Sequence, residues 1–204
     1  MAGIDKIFKK GVNVAAAVFL TAACHNTDTT VADNNDKLYL HKGDSITSLA
    51  QRILVSNVMQ AIQTKGVAGA VSFCNERAMP ITDSVAMAVH AGIERLSDKN
   101  RNPANAIQTP GDSLAWQKLK AIITDTLATK KHFVLQHSDG NIYYYKAITI
   151  AMPACLNCHG SKDAGIAPDA LAAINQKYPA DKATGYKMGE LRGMWKTKMS
   201  NTNE

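Results

Sequence analysis

Cys155, Cys158 and His159 stand together in the run CLNCHG, residues 155–160. Two thiols three residues apart, followed at once by an imidazole, can hold a zinc ion, run thiol exchange or carry a covalently attached haem. A zinc site wants a fourth ligand of matching type, and the chain has no second C-x-x-C and no H-x-x-x-H pair. A thioredoxin-type C-x-x-C is expected at a helix start within a βαβ unit, a setting that AMPACLNCHG does not announce. C-x-x-C-H is the attachment pattern of c-type haem, with two thioether bonds and the histidine as proximal iron ligand. The motif therefore reads as one haem c held by Cys155 and Cys158 with His159 on the metal, an ordinary disulfide or a metal clip being the alternatives.

The chain's first residues bear on that chemistry. Lys6, Lys9 and Lys10 precede an apolar stretch from Gly11 to Ala23, which suits the hydrophobic region of an export signal and is too short to span a bilayer. The stretch ends LTAAC, similar to a bacterial lipobox, so Cys24 is expected to be lipidated. Thr21 departs from that pattern, and simple cleavage to a soluble periplasmic or secreted protein is the alternative. The expected organisation is a lipoprotein signal peptide at 1–23, a polar tether at 24–37 and one domain at 38–204, on the periplasmic side of a bacterial membrane. Haem is attached to c-type apoproteins on that side, so the two readings support each other.

Removing residues 1–23 takes away three lysines and one aspartate, lowering the formal charge from +6 to +4. The remaining positives are scattered, which argues against a nucleic-acid partner. Of the four cysteines, lipidation at Cys24 leaves an odd set: Cys74 with the C-x-x-C pair.

The elements that must position these residues follow from periodicity. With Asp44 or Ser45 as cap, a helix puts Leu54, Val58, Ala61 and Ile62 on one face and ends at Gly66. A second helix over Val67 to Ala78 aligns Val67, Val71, Cys74 and Ala78, so Cys74 points inward. A loop spans 98–113, and a third helix places Trp116, Leu119, Ile123 and Leu127 on one side. KHFVLQHS and NIYYYKAITI alternate around Asp139-Gly140, predicting an antiparallel hairpin that runs into a loop bearing the C-x-x-C-H. A short helix near Asp169 to Lys177 and a last strand in ELRGMWKTKM complete an α+β fold.

Four segments, AVSFCNERA, RLSDKNRNPAN, YYYKAITIAMPACLNCHG and YPADKATGYKMGELRG, occur in an order that resembles the haem-binding PAS-like domains. That family is found as a small single-haem cytochrome in cyanobacteria and as periplasmic sensor regions of bacterial signalling proteins. The resemblance implies a PAS-like fold and an iron held by His159 on one side and by a cysteine, matching Cys74, on the other. The alternative for Cys74 is a small buried hydrophobe. His90, His132, His137, Met188 and Met194 are rival ligands, each better read as surface or core. Arg95 and Arg101 are candidates to receive haem propionates, or else they brace a loop. Of Tyr143, Tyr144 and Tyr145, one or two at most can meet the haem, and Trp116 and Trp195 read as packing residues.

A thiolate ligand favours ferric iron and a low potential. Electron transfer or redox reporting is the first expectation, and a redox or gas (NO/CO) sensor acting through a separate partner is the second. No acid/base or nucleophile constellation is evident, so catalysis is not expected. A redox or signalling partner and self-association are left open.

Overall fold

The computed structural model describes residues 33–199. The signal region, Cys24 and most of the tether lie outside these residues. Helix α1 (Asp33–Ala88) is broken at Gly66, whose φ of 69° and ψ of 178° belong to a region reserved for glycine. The two arms fold back on each other: Ile46 and Ala50 of the first share a cluster with Val85 of the second, closed by Ile93 and Trp195. The predicted stop at Gly66 is thus a hairpin tip. The first arm begins at Asp33, inside the predicted tether and before the predicted cap at Asp44 or Ser45, and the second continues to Ala88 rather than stopping at Ala78.

Four strands, β1 (Ile93–Leu96), β2 (His132–Gln136), β3 (Ile142–Thr149) and β4 (Leu191–Met199), form an antiparallel sheet in the order β1-β4-β3-β2. Gly140, at φ 81°, turns the β2–β3 hairpin as predicted. Helix α2 (Pro110–Thr124) starts inside the predicted loop, because Thr109 caps it by accepting from the Asp112 backbone N–H and Pro110 occupies its first turn. It ends at Thr124, so Leu127 is 86% exposed and not on the predicted buried face. Helix α3 (Pro153–His159) carries the C-x-x-C-H, which therefore lies on a short helix and not in a loop. Helix α4 (Pro168–Lys177) closes the set. Together these are an α+β fold.

Register sorts the sheet into two faces, since opposed residues point the same way. Tyr145 pairs with Lys196, and Leu96 with Met194, and this face meets α2 through Trp116 and Leu119. Arg95 pairs with Trp195, and Tyr144 with Thr197, and this face meets α1. The α1 crossing is close at Gly43, where any Cβ would collide with the Tyr144 ring. Among the described residues, no helix is long and apolar enough to cross a membrane.

Candidate functional site

Between the α1 hairpin, the α1 face of the sheet and α3 lies a cavity of about 300 Å³, at the lower end of the range for small-molecule sites. The first arm contributes Leu54, Val58 and Ile62, the second Val71, Cys74 and Ala78, and α3 brings Cys155, Cys158 and His159 to the same space. The helical faces expected from periodicity are the faces that line it.

His159 is oriented from behind. Its Nδ1 lies 2.7 Å from the Ala183 carbonyl oxygen, which can only accept, so Nδ1 carries the proton. The lone pair is left on Nε2, the arrangement of a metal-binding imidazole fixed by a backbone carbonyl. Arg192 Nε, itself a donor, lies 3.2 Å from the same Nδ1, which cannot accept from it while donating to Ala183; the shorter carbonyl contact decides the tautomer. Burial first, then the guanidinium groups of Arg192 and Arg101, push the imidazole pKa well below its ordinary value. His159 is therefore neutral and able to coordinate.

Asp181 to Tyr186 straps α3 in place. Gly185 N–H donates to the Gly160 carbonyl at 2.7 Å and Tyr186 N–H to the His159 carbonyl at 2.9 Å. Arg101 pins the strap: its Nε meets Asp181 Oδ1 at 2.9 Å, and its Nη2 donates to the carbonyls of Cys158 at 2.6 Å and Ala183 at 3.3 Å. Although Arg101 borders the cavity, its donors are largely committed to this bracing.

Arg95 is differently placed. Its Nη2 reaches the Ala78 carbonyl at a long 3.4 Å, and its guanidinium lies 5.8 Å from the Trp195 ring centroid. Its buried Nε has no hydrogen-bond partner, and burial lowers its pKa. Asn105 Oδ1, also at the cavity, is likewise buried without a partner. Buried polar atoms are ordinarily satisfied: Arg95 Nε is a donor that an anionic ligand group would meet, whereas Asn105 Oδ1, an acceptor, calls for a donor.

Cys74 faces the cavity as its helical position requires. Burial, and after it the nearby Cys158, push its thiol up to about 11, against the opposing pull of Arg95 and Arg101. The two guanidinium groups do not outweigh burial, so Cys74 is a neutral thiol. A coordinated metal ion would invert that balance.

The rival ligands are elsewhere. Met194 is fully buried in the α2-side core, Met188 is exposed, and His90, His132 and His137 do not border the cavity. None of Tyr143, Tyr144 and Tyr145 borders it either, fewer than the one or two at most that strand alternation allows. Tyr145 is held by Asp112 on the α2 face, Tyr144 by Asp44 of α1, and Tyr143 packs on His137. The far end of their strand, Ile148 and Thr149, meets the cavity instead. Sequence reasoning missed Arg192, which carries no local signal, and the cavity methionines Met59, Met79 and Met152.

No three or more His, Cys, Asp or Glu side chains among the described residues converge closely enough to hold a bare metal ion. The thiols and the imidazole border a space rather than meeting at one point.

Residues 30–200 match the family model described as Tll0287-like, Tll0287. The chain is similar to a solved structure titled as the crystal structure of the cyanobacterial haem-protein Tll0287, at 22% identity and a TM-score of 0.59, over 81% of this chain and 96% of that one. At this identity the likeness shows the fold. No curated protein matches the chain.

Proposed function

The chain belongs to the Tll0287-like family, and from that premise we propose that it is an exported, membrane-tethered protein of PAS-like fold carrying one c-type haem for low-potential electron transfer or redox reporting. The observation that carries the proposal is the C-x-x-C-H of α3 beside a cavity that Cys74 also borders, with His159 already turned by Ala183 to offer Nε2.

Cys155 and Cys158 would hold the macrocycle by thioether bonds, and His159 and Cys74 would serve as ligands to its iron. Arg95, with its unpartnered Nε, would receive a propionate, while Arg101 acts by keeping the strap on α3. When bound, the haem supplies a one-electron iron couple, and a thiolate ligand sets it low. The apolar side chains of α1 line the site, and the hydrogen bond from Nδ1 to Ala183 holds the His159 ring, an arrangement that would let electron exchange proceed with little rearrangement. The relative whose structure is similar is itself titled a haem-protein.

A sensor reading draws support from the placement of Cys74 on the second arm of α1. Loss of that ligand would free the hairpin that covers the cavity and pass the change to a separate partner.

Acidic acetone extraction of the denatured protein tests the cofactor: colour stays with the chain if Cys155 and Cys158 are bonded to it, and colour leaving with the solvent contradicts covalent attachment. For the anchor, Cys24→Ser is expected to move the protein from the membrane to the soluble fraction.

A further inference from the structure

Three thiols border one cavity from two elements: Cys74 from α1, Cys155 and Cys158 from α3. All three are free. They are not equivalent in placement. Cys158 packs into the cluster around Val71, which lies one helical turn before Cys74 on the same face of α1. Cys155 packs on the other side of α3 with Ile150, Ala183 and Tyr186. Of the C-x-x-C pair, Cys158 is the member turned toward Cys74, and the influence of Cys158 on the Cys74 thiol reflects the same proximity. Both side chains are only partly buried, so a small oxidant can reach them.

We propose that in the ligand-free chain Cys74 and Cys158 are a redox pair whose disulfide ties α1 to α3 across the cavity and closes the site. Each thiol gives up one proton and one electron, an S–S bond forms between the two Sγ atoms, and the oxidant, a small-molecule disulfide, is cleaved to two thiols. Reduction by a dithiol reverses the step and frees Cys158 and Cys74 together. Because Cys74 and Cys158 are far apart in sequence, the link closes a long loop and stabilises the fold against its unfolded chain. The proposal holds whether or not haem is the group the cavity takes; where it is, the link withholds one attachment thiol and one axial ligand until a reductant acts.

The test is non-reducing peptide mapping of the full chain, expressed without haem attachment and equilibrated with glutathione disulfide. The expected result is a Cys74–Cys158 linked peptide with Cys155 open to alkylation. A Cys155–Cys158 link, a link through Cys24, or a freely alkylated Cys74 overturns the proposal. Thermal unfolding gives an independent reading. Oxidised Cys155→Ser is expected to melt several degrees above its reduced form, a difference abolished in Cys155→Ser/Cys74→Ala, and equal melting of the two forms of Cys155→Ser overturns it. Failure here with haem retained on acetone extraction sinks the redox pair alone.

Discussion

The two faces of the sheet bury polar groups in opposite ways. On the α2 face, Asp112 is 3% exposed and fully engaged: it accepts from Tyr145 Oη at 2.5 Å and from Thr109 Oγ1 at 2.6 Å, and pairs with Lys196 at 3.1 Å. His137 Nε2 joins the network through Tyr145 at 2.8 Å. On the α1 face, Arg95 Nε is buried with nothing to meet it, and Asn105 Oδ1, in the turn that follows β1, is likewise unmet beside the same cavity. Unsatisfied buried polarity is destabilising, and at Arg95 and Asn105 it borders the cavity, unlike that of His132 Nδ1, Tyr186 Oη and Thr197 Oγ1. The closed face holds the domain together, and the open face borders the cavity.

Mutations should separate the two. Asp112→Ala leaves Lys196 buried with only Glu94 at 3.6 Å, and is expected to destabilise by about 3 kcal/mol or more, read by denaturant unfolding. The same carboxyl gives a pH signature. Burial alone would raise its pKa, but hydrogen bonds from Thr109, Tyr145 and Lys196 outweigh burial and hold it below its usual value. Its contribution is therefore fully present above the unfolded carboxyl's pKa of about 3.9 and is lost as pH falls through the lower folded value. Acid unfolding of wild type should steepen below about pH 4, and Asp112→Asn should lose that steepening.

A smaller effect is expected at the hairpin tip. Gly66→Ala meets no neighbouring atom, so its cost is backbone strain alone, about 1–3 kcal/mol. If stability does not change, the break in α1 is not held by glycine. The smallest effect on folding belongs to Arg95→Met. With no ligand present it removes a poorly satisfied cation, and stability should stay within about 1 kcal/mol of wild type. In the haem-loaded protein the same change should lower the midpoint potential, because a cation near the iron opposes the ferric charge. A destabilised ligand-free chain with an unshifted potential would place Arg95 on the structural side of the comparison.

Much of the open face was legible in sequence. Apolar spacing predicted the helical faces of Leu54, Val58, Ala61 and Ile62 and of Val67, Val71, Cys74 and Ala78, all of which but Ala61 and Val67 line the cavity, and Gly66 marked the break between them. The β2–β3 turn, α4 and β4 followed from equally local signals. What escaped was short or non-local. Strand β1 has four residues, and its alternation is obscured because Arg95 faces a cavity. Helix α3, seven residues long, has too few turns to show a period. The Asp112 network joins residues from α2, β3 and β4, although Thr109 and Asp112, three apart, hinted at the cap. Arg101 read equally as a propionate partner or a loop brace, because charge alone does not reveal that Asp181, far along the chain, pairs with it. That arginine braces a loop, while Arg95 keeps a donor to offer.

The central claim is that Cys74 and His159 flank one haem, and it is tested most directly by the ferric and ferrous absorption spectra of haem-loaded protein beside Cys74→Ala, with CO added to the ferrous forms. Thiolate-type low-spin ferric bands in wild type, absent from Cys74→Ala, are the predicted result, and CO uptake by the ferrous wild type would favour sensing over simple transfer. Identical spectra for the two proteins would contradict the claim and leave Cys74 as a packing residue.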